Sequence, residues 1–511
     1  MSSAASLRCS VVVLSDGSGG GLEATRASLA AQTAAPWEVH ESPATTDVAT
    51  SLSGAFQRAT GEFVAVVDAG DTLHPETLAR MAERVGPDVD VIYTDEDRLG
   101  RAGGLFEPFF KPDWSPDRLR VQPYVGRFCA MRRSVVTGVG GPRADAGVAH
   151  EWDLVLRVTE RARRIEHAPG ALYHRSEARS VIAREHLASD DARRVVNEHL
   201  DRTGCPATAA FDEDLGVLRL RPALDDHPKV SIVIPTAGTE RGVWGRGICL
   251  VINCVQSIVE RSTYDNYEIV CVVDESVQIG VRKALVEVGQ GRARIVPFGQ
   301  PFNFATKINL GAIEAAGDYL LLLNDDIEVI SPDWIESMLL HAQDPDVGAV
   351  GATLRFADRR LQHVGVLVVG GNPGHPYYGF PAETRGYFDN LLVPTNCLAI
   401  TAACLMSRRD AFEKVGGMST QFPINYNDVD YGLKLDRAGY SLVHTPEAQM
   451  FHFESSSREP GEVSDVELEQ LHARWSMRLA RDPYYNPNFL PTADYLTLVL
   501  PAGETAADLD L

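Results

Sequence analysis

Positive charge is scarce in this 511-residue chain: 48 Lys and Arg stand against 70 Asp and Glu, for a net charge of −22. Nucleic-acid binding needs a basic face, so nucleic acid is not an expected partner. Anionic lipid would find no general attraction either. One local cluster, Arg157, Arg161, Arg163 and Arg164, reads as a solvated helix face. Cysteine is also sparse. The eight residues are scattered, with no C-x-x-C pair and no zinc or disulfide spacing, which points to reduced thiols in a cytosolic protein. Long apolar runs are missing: no stretch approaches the ~18 residues of a membrane span. Met1–Arg8 lacks the basic and apolar regions of a signal peptide. The expected location is cytoplasmic, with peripheral contact at the inner face of the plasma membrane as the most a membrane would see. Phosphate-loop signatures are absent too. The Gly17–Gly21 run fits neither G-x-x-x-x-G-K-[ST] nor G-x-G-x-x-G and reads as a flexible turn.

What the chain does have is length and a repeating script. A single core stops growing near ~250–300 residues, so more than one domain is expected. Val230–Pro235, Tyr267–Asp274, Ala293–Pro297 and Tyr319–Leu323 read as strands, with helices around Leu250–Arg261, Lys283–Val288 and Asn309–Ala316. Strand–helix alternation of this kind predicts an α/β, doubly wound, mostly parallel sheet, with ligands beyond the carboxyl ends of the strands. The first half follows suit: strands at Cys9–Leu14, Phe63–Asp68 and Val91–Asp97, helices at Ala24–Gln32 and around Ala55–Thr60. Glu151 precedes His174 by nearly the same interval as Asp428 precedes His452, which suggests an internal duplication. The Pro222–Pro228 stretch marks the boundary. The expected units are residues 1–226, 227–460 and a C-terminal extension 461–511, Pro-rich and acidic, with disorder expected over Ala502–Leu511.

Three landmarks in the second half carry chemistry. The apolar run Leu320–Leu323 ends in Asn324-Asp325-Asp326-Ile327-Glu328. Adjacent carboxylates repel, and a divalent cation relieves them. Magnesium or manganese typically keeps one or two protein carboxylates and completes its shell with phosphate and water, so a diphosphate is the natural third party. Acids after a buried strand also cap helices, as Ser331-Pro332-Asp333 would allow, and that plainer reading stays open. Asn427-Asp428-Val429-Asp430 sits at a helix start, which favours acids electrostatically and is also a firm mount for a base. Phe451-His452-Phe453 leads into Glu454-Ser455-Ser456-Ser457-Arg458, where a metal-binding His would be followed by phosphate donors.

Val230–Pro235, Asp274, Pro301–Phe304, Asn309–Ala312, Leu323–Glu328, Pro332–Trp334, Gln362-His363, Gly416-Gly417, Asn427–Asp430 and His452–Arg458 together resemble inverting GT-A glycosyltransferases of family 2, the type that builds bacterial surface polysaccharides. Asp482–Pro487 also looks family-like. The first half is similar through Tyr93–Asp97, Phe110–Trp114, Glu151–Arg157 and Leu172–Arg175. The resemblance implies two tandem GT-A-like (nucleotide-diphospho-sugar transferase) domains. It implies a metal-dependent transfer of a sugar from a UDP- or dTDP-linked donor to a glycan or lipid-linked glycan, with Mg2+ or Mn2+. Asp428 would be the base, and Asp326 and His452 the metal ligands. Asp274, Asp325 and Arg458 would bind the nucleotide. Asp430 would stand behind the site or touch the acceptor; Trp334 would pack, with acceptor stacking as the lesser reading. Asp68, Asp71, Glu151, Asp153 and His174 form a second candidate site. There Gly70 stands where the family has an acid, Glu151 where it has Asp, and only Glu41 follows Trp37-Glu-Val. Alternatives are a bifunctional enzyme, or a non-catalytic assembly module in the first half. A sugar nucleotidyltransferase would need a Gly-rich loop with an Arg and Lys clamp, which the sequence lacks.

Overall fold

The computed structural model describes residues 7–15, 21–43, 47–101, 103–176, 184–224, 226–453 and 465–489. Two large sheets dominate, and each forms around fully buried, β-branched or leucine-rich runs such as Val11–Val13 and Leu320–Leu323. The first runs in the order Glu38–Pro43, Cys9–Ser15, Phe63–Asp68, Cys129–Arg132, Val89–Leu99, Arg164–Ser176, Thr72–Leu73. The second adds Ala293–Phe298 at its edge. It then repeats that order with Tyr267–Asp274, Val230–Thr236, Tyr319–Leu323, Cys404–Arg408, Val347–Arg355, Ser441–His452 and Ile327–Val329.

The first strands of each sheet are parallel, as the alternation predicts. Beyond them antiparallel pairs enter, at Phe63 opposite Arg132 and at Tyr319 opposite Arg408, so each sheet is mixed. The direction of these later strands is set by pairing across the sheet, which an apolar run does not encode, whatever its length. The repeat extends to side chains. Ser10 Oγ donates to Glu38 (2.5 Å) and accepts from Gly61 N (2.9 Å). Ser231 Oγ does the same with Glu268 (2.7 Å) and Gly317 N (2.8 Å).

Helices cover both faces of the second sheet. Phe304–Glu314 lies so close that a Cβ on Gly311 would come 2.3 Å from Val233 Cγ1, which accounts for glycine in mid-helix. The hairpin Ala207–Asp212/Val217–Pro222 touches the helix Asp190–Thr203 of the first unit and the helix Trp334–Ala342 of the second. The two units are bonded together through buried polar groups. Asp117 accepts from Asn396 Nδ2 (3.0 Å) and lies 3.0 Å from His341 Nδ1. Ser115 donates to Asn396 (2.7 Å), and Phe109 stacks on Phe388 at 4.1 Å. The helix Asp465–Leu479 packs on Asn427–Arg437, and the turn after it returns to the first unit, where Asn486 Nδ2 donates to Asp95 (2.9 Å). The disorder expected for Ala502–Leu511 lies outside the described residues.

Candidate active site

The second sheet's strand ends converge on two polar groupings. Lys307 is the single cation of its helix, Phe304–Glu314, and is 1% exposed; a buried ammonium needs a partner. Asp274 supplies it, with Oδ1 2.6 Å from Nζ, and the carbonyl of Thr236 accepts at 3.2 Å. Thr236 Oγ1 donates to Asp325 Oδ2 at 2.5 Å. Asp274 and Asp325 are thereby linked across three strands. Burial, and then the adjacent Asp326 carboxylate, push the Asp325 carboxyl up to about 6. Lys307 escaped the sequence reading; its signal was a lone cation among Ala305, Ile308 and Ala312.

The second grouping is Asp326 and His452, side by side because Ile327 pairs with His452 across the sheet. Asp326 Oδ1 lies 3.1 Å from His452 Nε2, yet this buried oxygen makes no aligned hydrogen bond. Burial raises the Asp326 carboxyl, but the imidazole outweighs it and holds the group below its usual range. His452 Nδ1 is 2.6 Å from Gln362 Oε1, an acceptor only. That bond requires a proton on Nδ1, so in the neutral ring the Nε2 lone pair faces Asp326, the orienting contact typical of metal-bound imidazole; it is the protonated ring that lowers Asp326. An under-bonded carboxylate oxygen and an aimed imidazole nitrogen fit a divalent cation. Among the described residues no third His, Cys, Asp or Glu joins them. The set therefore suits a metal that draws the rest of its shell from phosphate and water.

Asp428 stands in the first turn of Asn427–Arg437. The preceding residue, Tyr426, holds a left-handed φ of 56°, a conformation that costs free energy in a non-glycine residue and is found at functional sites. Asp428 is half-buried and accepts from the amides of Val429 (2.8 Å) and Ala402 (3.3 Å).

Asp430 points the other way. It is fully buried, with Oδ1 accepting from Trp475 Nε1 at 2.8 Å and Arg474 3.1 Å away, so it anchors a helix and does not meet an acceptor. A two-residue step on a helix turns a side chain roughly 200°, which separates the pair. Trp334 is fully buried and bonded to Ser262 (2.9 Å), a packing residue; acceptor stacking is excluded. Arg458 lies outside the described residues.

The first half is built differently at the corresponding place. Phe63 opposite Arg132 and Tyr319 opposite Arg408 align the two sheets, so Gly70 falls at Asp326 and Arg127 at Ala403. Gly70 has φ +100°, a conformation that would strain any side chain. Asp71 is buried and bonded to Tyr173 Oη (2.5 Å) and the amide of Ser176 (2.9 Å). His174 pairs instead with Asp97 (2.6 Å). Asp153 is fully buried between Arg143 (2.7 Å) and Arg157 (2.6 Å), a correction to its place in a second site. Asp71 and His174 likewise do not form a metal pair like Asp326 and His452. Among the described residues the carboxylates of Asp68 and Glu151 are brought together, bridged by Arg127 at 2.6 and 3.0 Å.

The profile described as "Glycosyl transferase family 2" matches residues 2–138 and 231–416. The chain belongs to glycosyl transferase family 2. The two matched stretches fall one on each α/β sheet. Asp428 and His452 lie beyond the matched stretches. The chain is 34% identical over 457 residues to "O-antigen biosynthesis protein RfbC" of Myxococcus xanthus, covering 88% of this chain and 35% of that one. It is 33% identical over 455 residues to "Uncharacterized protein y4gI" of Sinorhizobium fredii, covering 85% and 49%. It thus spans half or less of the length of these relatives. A solved structure titled "Crystal structure of GalNAc-T7 with UDP, GalNAc and Mn2+" aligns with TM-score 0.41 and 13% identity over 52% of this chain and 51% of that one. Among the described residues no helix is long and apolar enough to cross a membrane.

Proposed function

We propose that this chain is an inverting, metal-dependent glycosyltransferase with its catalytic centre in residues 227–460. It moves a sugar from a UDP- or dTDP-linked donor to a hydroxyl of a glycan or lipid-linked glycan during bacterial surface-polysaccharide synthesis, at the cytoplasmic face of the membrane. The opposed Asp326 and His452, with Asp428 on a separate helix start, carry the reading. Asp326 and the Nε2 of His452 would hold Mg2+ or Mn2+, which when bound supplies positive charge to the departing diphosphate. Asp274, kept in place by Lys307, binds the base or ribose. Asp428 accepts the proton of the acceptor hydroxyl. The acceptor oxygen then attacks the anomeric carbon from the face opposite the diphosphate, and the breaking bond leaves its electron pair on the nucleotide. Residues 1–226 form a GT-A-like unit that is not catalytic, because Gly70 stands at the position of Asp326 and Arg127 ties up Asp68 and Glu151.

The test is release of nucleoside diphosphate from a panel of nucleotide sugars, followed by Asp428→Asn. The variant should bind donor normally and lose about 100-fold or more in kcat, the range of general-base catalysis. Retention of about a tenth of the rate would place the base elsewhere.

A further inference from the structure

The first half keeps a cavity of about 420 Å³ at the very place where its metal site has been dismantled. That volume lies within the ~300–1,000 Å³ of small-ligand sites. One wall is apolar: Leu119, Val125, Trp152, Val155 and Leu187, all buried. The other is polar: Asp68, Arg127, Glu151 and Arg175. Two buried nitrogens on residues lining the cavity, Arg127 Nε and His150 Nε2, have no hydrogen-bond partner. Arg127 is 9% exposed, and an under-bonded guanidinium nitrogen at that depth is a standing demand for an acceptor.

The charges say what kind of acceptor. Arg127 is committed to Asp68 and Glu151, and Arg175 to Glu96 at 3.0 Å. Both arginines of the wall are neutralised, so a diphosphate would bring two or more charges with nothing among the described residues of the wall to offset them. A neutral ligand with many hydroxyls meets no such penalty. Its hydroxyls donate to the carboxylates and to His150 Nε2, whose ring carries its proton on Nδ1 against the Gly147 carbonyl (3.1 Å), and they accept from Arg127 Nε, while the C–H face of its ring lies on the apolar wall. We propose that this cavity binds a neutral sugar unit of the glycan without metal and without nucleotide, the Arg127 guanidinium standing where the catalytic half presents Ala403 and an open cation site. The inference rests on the reading of the first half as non-catalytic and names its ligand.

Saturation-transfer NMR on the full chain in EDTA, with methyl glycosides of rhamnose, mannose, galactose and N-acetylglucosamine, tests it. At least one glycoside should bind, and should still bind Asp326→Ala, in which the metal site is broken. Val148→Trp changes an exposed residue on the cavity lining (51% exposed) and should plug the cavity without disturbing the fold. It should weaken that glycoside by about tenfold or more. Glu151→Gln, which removes charge from the polar wall, should also weaken it. Three outcomes overturn the proposal: no glycoside binds; binding is lost in Asp326→Ala but unchanged in Val148→Trp; or UDP competes with the glycoside in the absence of metal. None of these bears on whether Asp428→Asn abolishes transfer, so the two readings fail separately.

Discussion

His452 shows how one hydrogen bond sets a residue's chemistry. With Gln362 Oε1 accepting at 2.6 Å, the ring must carry its proton on Nδ1 and direct Nε2 at Asp326. Asp326→Ala and His452→Ala should each weaken binding of Mn2+ with nucleoside diphosphate in calorimetry. Gln362→Leu should weaken it less, by about 10- to 100-fold, the usual cost of losing an orienting partner. Unchanged affinity in both direct variants would remove them from the metal shell. Full transferase activity in excess chelator would end the metal mechanism altogether.

Helix-scale support for Asp428 comes from Asp465–Leu479, which follows the family-matched stretches in sequence. Trp475 and Arg474 meet Asp430, Arg478 pairs with Asp436 at 2.6 Å, and buried Glu467 accepts from the amides of Ile424 and Asn425. These contacts hold the start of Asn427–Arg437 and the left-handed turn at Tyr426. Trp475→Phe removes a hydrogen bond to a buried carboxylate and should cost about 1–3 kcal/mol. It should lower kcat while leaving the donor Kd unchanged, because the base moves and the nucleotide groups do not. A thermally destabilised variant with wild-type kcat would show that this helix does not position Asp428. The turn beyond offers a pH test. Burial pushes the Asp482 carboxyl up to about 6, despite amide donors from Val368 (2.7 Å) and Tyr484 (2.8 Å). The folded chain therefore holds a proton that an unfolded Asp with an ordinary value of 3.8 has released. Stability from this group falls as pH rises from about 4 to about 6, and is level above that. Asp482→Asn should lack this component, so the wild-type-minus-variant difference in unfolding free energy should decline across the window. A flat difference would refute the assignment.

At the scale of the whole molecule, two units share one design, and the proposed function has them differ in competence. The same strand order and the same Ser–Glu–Gly hydrogen bonds recur, while Gly70 and Arg127 stand where the second unit has Asp326 and Ala403. Glu151→Gln should leave most of the transferase activity, where Asp428→Asn leaves almost none. Loss of one of two distinguishable linkages in the product of Glu151→Gln would instead make the enzyme bifunctional. The units are also coupled physically. Burial opposes it, but His341, Arg120 and Asn396 hold the Asp117 carboxyl down at about 2. Removing one member of such a buried set typically costs about 3–5 kcal/mol. Asp117→Ala should therefore lower the stability of both units together, read as a single shifted denaturation transition.

The α/β alternation and the repeat were legible from sequence, because buried strands are written as apolar runs; the ends of those runs marked Asp274, Asp325 and Asp326 as candidates, and Asp428 and His452 were singled out by motif. Gly70 was legible as a missing acid only through the family resemblance. The partners were not legible. Lys307 meets Asp274 and Gln362 meets His452 across separations of 33 and 90 residues, and no periodicity encodes such pairings. Asp430 and Asp153 look as suitable as their neighbours in a motif, and only the turn of a helix decided that they face inward, to Trp475 and Arg157. Arg127 carried no motif at all. Its bridge between Asp68 and Glu151 exists because the sheet places the end of Phe63–Asp68 beside the approach to Cys129–Arg132, and a helix start across from both.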